Sequence, residues 1–376
     1  MGQSNSQHHQ AWIVLLVAIP FMVVFLARAG VFSSGATMVE ESTQKDESST
    51  QPLRLPDDLV AVADARYASL DGLAPGSRDA QDRQRLAVRQ LGLPLEVKSA
   101  KTGIVFRLVP PGSFTMGSPR TEQDAMVLVG MPREWVHDEV AHEVTLSEAF
   151  YCGKFEVTQG QWEQVMGTTP SYFKNAGKNA PVEQVSWDDC QEFLNKLCQI
   201  EGAAEGTYRL LTEAEWEYAC RAGTQTALYI GDLVIEGLHD APVLDDISWY
   251  GGNSGVAYEG GFNSSDWREK QYGHTRAGTH AVGGKRANGF GLYDMIGNLW
   301  EWCQDWYTGY PDSPPLSSAV GCTRIARGGG WDADAWDCRS AERSMGALDD
   351  RVYDLGFRIT RTIRMKPQHE PKNEFE

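Results

Sequence analysis

The run Gly289–Tyr307, GFGLYDMIGNLWEWCQDWY, constrains this chain more than any other, because it sets Trp300, Trp302 and Trp306 within seven residues. Three indoles so close together need a large buried surface and an acceptor for each ring N–H. Two further blocks share this character: Tyr208–Thr224, YRLLTEAEWEYACRAGT, and Ala326–Trp331, ARGGGW, which runs on into CRSAERS. Glycines beside the rings permit tight backbone turns. Such a chain folds by packing aromatic side chains around irregular loops rather than by stacking long regular elements. Its 38 glycines, which follow no collagen-like period, agree with many turns.

The formal net charge of −17 disfavours nucleic acid and anionic lipid as partners and leaves carboxylates available for a hard cation. Seven cysteines (Cys152, Cys190, Cys198, Cys220, Cys303, Cys322 and Cys338) all fall beyond residue 150. None forms a CxxC pair, so zinc-knuckle chemistry is excluded. An odd count leaves at least one thiol unpaired if all pairing is internal.

Ala11–Ala27, AWIVLLVAIPFMVVFLA, is continuously apolar. As a helix it would span about 25 Å, close to a thin bilayer core. Two readings stand: an uncleaved transmembrane anchor, or a signal peptide cut near Ala27–Ala29. The missing basic leader favours the anchor. The expected localisation is then a single-pass membrane protein with its large domain outside the cytoplasm, where cysteines can pair; the alternative is secretion after cleavage. The expected order is a short polar N-terminus (1–10), an anchor or signal segment (11–32), a flexible linker (33–56), a short helical stalk (57–102), one large domain (103–365) and a disordered tail (366–376).

Within the large domain, IVFRLVPPGSFTMGS reads as strand, turn and strand, and HEVTLSEAFYCGKFEVT as strand-like. Thr158, Ser186 and Thr212 each precede an apolar-periodic run and are expected helix caps, with Glu215 at the capping-box position. Beyond Gly223 only short strands and long loops are expected.

The segments PPGSFTMGS, FEVTQGQW, PVEQVSWDDC, YRLLTEAEWEYACRAGT, NGFGLYDMIGNLWEWCQDWY, IARGGGW, CRSAERS and LGFRI occur in this order from about residue 103 to 364. In this the domain resembles the formylglycine-generating enzyme family, also called the sulfatase-modifying factor family. The resemblance implies an irregular α/β fold related to C-type lectins, low in regular secondary structure and here preceded by one transmembrane helix. It also implies oxidative chemistry, the copper- and oxygen-dependent conversion of a sulfatase cysteine to formylglycine, although other members act as binding, structural or accessory domains.

Cu(I) chemistry needs two thiolates. The family places them five residues apart between the glycine-rich turn and the arginine motif. Counted back from Arg343, those positions fall on Ala335 and Ser340, and the interval holds one cysteine, Cys338. No catalytic residue is therefore assigned, and copper is not expected. Two readings remain for Cys338: a disulfide with Cys220, or a buried free thiol. The resemblance further implies a structural calcium held by the carbonyls of Gly297 and Leu299, the Asn298 amide oxygen and the Glu301 carboxylate. A second site would use Asn253, with His274 and Arg276 where oxygen ligands are expected. The alternative for Glu301 is an ion pair with an arginine such as Arg327. Trp331, Trp336 and Arg343 are candidates for a groove that binds a peptide or sugar. The chain thus reads as a membrane-tethered pseudoenzyme that binds a protein or ligand or serves as an accessory scaffold. The alternative is an oxidoreductase that generates formylglycine or oxidises another thiol.

Overall fold

A computed structural model describes residues 55–63, 77–311 and 322–363. The chain divides into two compact units, Met1–Thr50 and Gln51–Glu376, and every described residue falls in the second. That unit is an irregular α/β domain. A six-stranded antiparallel sheet runs in the order Leu59–Ala61, Glu96–Ser99, Val105–Val109, Phe150–Gly153, Ile359–Thr362 and Tyr208–Leu210. A four-stranded sheet runs in the order Arg343–Ala347, Thr323–Arg327, Trp300–Trp306 and Leu355–Gly356, its last pair parallel.

The three capped helices form as their sequences specify. Thr158, Ser186 and Thr212 each accept a hydrogen bond from the N–H three residues on, and Gln161, Asp189 and Glu215 return it in full capping boxes. The Trp187–Glu201 helix turns Cys190, Phe193, Leu194, Leu197 and Cys198 inward, the 3.6-residue period placing them on one face. They pack with Trp162, Trp302 and Phe357 in one half of the core. Trp216, Tyr218, Phe290 and Met295 fill the other half. The indole N–H groups of Trp187, Trp302 and Trp216 all find acceptors, the carbonyls of Cys303 and Val185 and the Glu301 carboxylate.

Two expectations change here. The described residues of the segment read as a helical stalk form a helix, Ser77–Leu91, and strands that join the six-stranded sheet. Gln84 on that helix donates to the carbonyls of Leu108 and Phe290, and Asp58 takes a bidentate contact from Arg361. Strands of three and four residues are too short for periodicity to separate from helix. The transmembrane helix is corrected as part of the fold. No helix among the described residues is long and apolar enough to cross a membrane, and Ala11–Ala27 lies outside them. The anchor, the membrane partner and the single-pass localisation rest on that segment and are not carried further.

With so little regular structure, buried ion pairs tie the loops together. Arg339 is fully buried, and its guanidinium meets Glu139 (2.8 Å), Glu122 (3.1 Å) and Glu342. Arg327 binds Glu217 and the carbonyls of Ser340, Ala341 and Glu342. Removing one partner of a buried pair leaves an uncompensated charge and costs about 3–5 kcal/mol. Arg339→Met is therefore expected to lower the urea-derived stability by about that amount at pH 7. The loss should shrink at pH 5, where the orphaned carboxylates can take up protons; a variant as stable as the parent at pH 7 would refute the assignment.

Candidate functional site

The strand Thr323–Arg327 ends in a glycine turn that the neighbouring rings require. Gly328 and Gly329 adopt φ of 104° and 78°, in the left-handed range that favours glycine. A Cβ on Gly328 would lie 3.0 Å from the Trp216 ring. The turn brings the Trp331 N–H to the Asn298 carbonyl at 2.9 Å, joining the two sequence motifs. Beyond it, Asp334 caps a single 3₁₀ turn, Ala335–Asp337, and presents Trp336.

The thiols near this turn are poorly placed for oxidation. Cys338 and Cys220 are fully buried and stand as two separate thiols rather than a disulfide. Cys220 donates toward the Ser340 hydroxyl (3.6 Å) and the Met295 carbonyl (3.8 Å), while Ser248 donates toward the Cys338 sulfur at 3.9 Å. Burial pushes the Cys220 thiol up to about 12 and the Cys338 thiol higher still. Both stay protonated at neutral pH, and it is the thiolate that attacks or binds copper. Ala335 and Ser340, at the family's paired positions, are buried and carry no sulfur. Among the described residues no group of three or more His, Cys, Asp or Glu side chains is placed to hold a metal.

Calcium binding is unsupported, and most of the oxygens assigned to it already accept hydrogen bonds. Both Glu301 oxygens receive Arg358, at 2.7–3.1 Å, and one also accepts from Trp216 at 2.7 Å. The partner is thus an arginine as the alternative required, but Arg358 rather than Arg327. Gly297 O accepts from Leu299 N, and Asn298 O from Trp331 N. The Asn298 amide oxygen takes the His280 N–H at 2.9 Å, and its NH₂ donates to the buried Glu156. Burial, and then the Asp294 and Glu301 carboxyls, hold Glu156 well above the usual carboxylate range. At the second position Asn253 Oδ1 accepts from Tyr250 N, and its NH₂ donates to Asp245 and Ser248. His274 Nδ1 meets the Ser264 hydroxyl at 2.7 Å. Calcium takes six to eight oxygen ligands, and the Glu301, Asn298 and Asn253 side chains direct theirs to protein donors.

Of the three groove candidates, Trp336 lines a pocket formed by described residues. Trp331 is buried among Phe173, Phe262, Trp267 and Tyr353. Arg343 is buried against Glu213 and Asp138 beneath the Tyr307 and Tyr310 rings. Trp336 lines a groove of about 410 Å³ with Val129, Ile235 and Leu238, rimmed by Glu236, Arg268 and Glu269. Its indole N–H is buried without an acceptor among the described residues. Leu128, Val129, Val234 and Trp135, exposed at 86, 41, 62 and 54%, belong to the segments that form the groove and its supporting cluster. His239 ties two of its walls, with Nδ1 at 2.8 Å from Arg268 O and Nε2 at 3.0 Å from Asp334. Sequence reasoning missed these walls, whose only signal was the apolar run Leu233–Ile235 inside a region read as loop.

Asp332 and Asp354 flank Gly330, and neither has a cationic partner among the described residues. Burial and the facing Asp354 carboxyl push Asp332 up to about 8, and burial pushes Glu183 up to about 7. Their unfolded values are about 4. The folded chain therefore binds more protons between those limits, so their stabilising contribution is lost as pH rises from about 4 to about 8. Asp332→Asn is expected to be more stable than the parent at pH 8, by a margin that vanishes near pH 4. Thermal unfolding across that range measures it, and superimposable pH profiles would contradict the pairing.

Comparison with known proteins places these features. The profile of the sulfatase-modifying factor enzyme 1-like domain matches residues 96–363. The chaperone protein LppX of Paenibacillus barcinonensis is 36% identical over 255 residues, covering 58% of this chain and 82% of LppX. The formylglycine-generating enzyme of Mus musculus is 31% identical over 244 residues; the match covers 62% of this chain but only 57% of that enzyme. Among solved structures, Treponema denticola variable protein 1 aligns with a TM-score of 0.52 at 27% identity, covering 72% of this chain and 99% of that one. PvdO from Pseudomonas aeruginosa, at 24% identity and a TM-score of 0.51, shares the fold. Motif order, fold and profile agree: the chain belongs to the sulfatase-modifying factor (formylglycine-generating enzyme) family.

Proposed function

We propose that this domain is a non-catalytic member of the family that binds polypeptide through the groove at Trp336. The observation that carries the reading is the open groove, to which the segment where a formylglycine generator would need its paired thiols contributes Trp336. Val129 lines the groove while 41% exposed, and the exposed Leu128 and Val234 are the chain neighbours of groove-lining Val129 and Ile235. The similarity to a protein named as a chaperone points the same way.

Chemistry argues against cysteine oxidation. Copper needs a soft ligand pair and a thiolate nucleophile needs a depressed pKa. Here the one cysteine of the interval is buried and protonated. Specificity in a groove of this kind comes from an aromatic floor and apolar walls, with rim charges adjusting orientation.

Reduced, carboxymethylated α-lactalbumin serves as an unfolded polypeptide probe. The full chain is expected to bind it, and the exposed-site variants Leu128→Asp and Val234→Asp to weaken binding at least fivefold without shifting the melting temperature. No binding, or binding that these variants leave unchanged, would remove the groove assignment. In parallel, the chain loaded with Cu(I) should consume no oxygen with a cysteine-containing sulfatase peptide; turnover there would overturn the non-catalytic reading.

A further inference from the structure

A smaller pocket of about 180 Å³ is lined by Tyr172, Phe173, Asn175, Tyr258, Glu259 and Gly261. Its rings meet at right angles: Tyr172 on Phe173 at 4.9 Å and 86°, Phe173 on Tyr258 at 6.4 Å and 89°. They are held from behind. The Glu183 carboxylate accepts the backbone N–H groups of Tyr172 and Phe173, both at 2.9 Å, and Phe173 packs edge-on against buried Trp331 at 5.0 Å. The Tyr258 hydroxyl donates to the Thr279 carbonyl, which leaves the ring itself as the wall. Gly261 closes the far side at φ +74°, where a Cβ would lie 2.7 Å from the Tyr258 ring and 2.5 Å from Ala277 O. The pocket is therefore built before any ligand arrives.

Glu259, which lines the pocket, is exposed and has no hydrogen-bond or ion-pair partner among the described residues. No lysine or arginine lines the pocket. The volume is below that of sites for drug-sized ligands, roughly 300–1,000 Å³, and suits a head group. Perpendicular aromatic faces attract a cation through their ring quadrupoles, and an unpaired carboxylate adds a full opposite charge. A neutral sugar would instead call for several paired donors and acceptors on the walls.

We propose that this pocket binds a quaternary ammonium group, with Tyr172 and Tyr258 as its cage and Glu259 as its counter-charge. The chain's net charge of −17 adds a long-range attraction for such a ligand. The site is independent of the Trp336 groove.

Calorimetric titration of the full chain with choline tests it, with 3,3-dimethylbutan-1-ol as the uncharged isostere. Choline is expected to bind saturably at one site, and the isostere about tenfold more weakly, a difference of about 1.4 kcal/mol. Glu259→Gln should weaken choline at least fivefold while leaving the isostere unchanged, and Tyr172→Ala should weaken both. These side chains are exposed, so neither change is expected to alter the melting temperature. Vesicles of phosphatidylcholine and of phosphatidylglycerol separate the sources of the group. Association with the first that free choline competes away assigns a lipid head group; choline binding without it assigns a free small molecule. No saturable choline binding, equal affinity for the isostere, or indifference to Glu259→Gln would overturn the proposal.

Discussion

Burial of arginine against carboxylate is the interaction on which the rest of this domain depends. Arg327, Arg339 and Arg358 are fully buried, and each joins segments far apart in sequence. Arg358 alone links the Phe150–Gly153 strand, the Tyr293–Asp294 turn and the Glu301 carboxylate. Long helices and wide sheets can satisfy their own backbones, but loops need outside partners for their polar groups. A guanidinium presents five donors in a rigid fork and can serve several carbonyls and a carboxylate at once. The buried arginines do the joining that regular structure does elsewhere.

This explains why some of the structure was legible in sequence and some was not. Thr158, Ser186 and Thr212 could be placed because capping is local: the acceptor, the N3 residue and the apolar period lie within a few positions of one another. The family could be read because its motifs are contiguous. The partner of Glu301 could not be fixed, since Arg327 and Arg358 both lie in the later motifs and only the folded register separates them. The groove at Trp336 was half visible. One aromatic stood in the right segment, but Val129, Ile235 and Leu238 come from loops without periodicity. Trp331 and Arg343, which looked equally available, are consumed by an aromatic cluster and an ion-pair network.

The same distinction separates ancestry from activity. The motifs that identify the family are mostly the residues that build the fold: the tryptophans of the Gly289–Tyr307 run, the glycine turn and the arginines. Oxidation rests on a thiol pair that this chain lacks, and the remaining thiol near the turn is buried behind Ser248. Among the described residues the fold leaves a groove at Trp336 and a small aromatic pocket at its surface.

The central claim is that Arg358 holds the Glu301 carboxylate of the signature loop, and thermal unfolding with and without a chelator tests it most directly. The full chain should melt at the same temperature in excess EDTA and in excess calcium, while Glu301→Gln should destabilise it equally in both, through loss of the Arg358 pair. A melting temperature that falls on chelation, with the fall abolished by Glu301→Gln, would contradict the account.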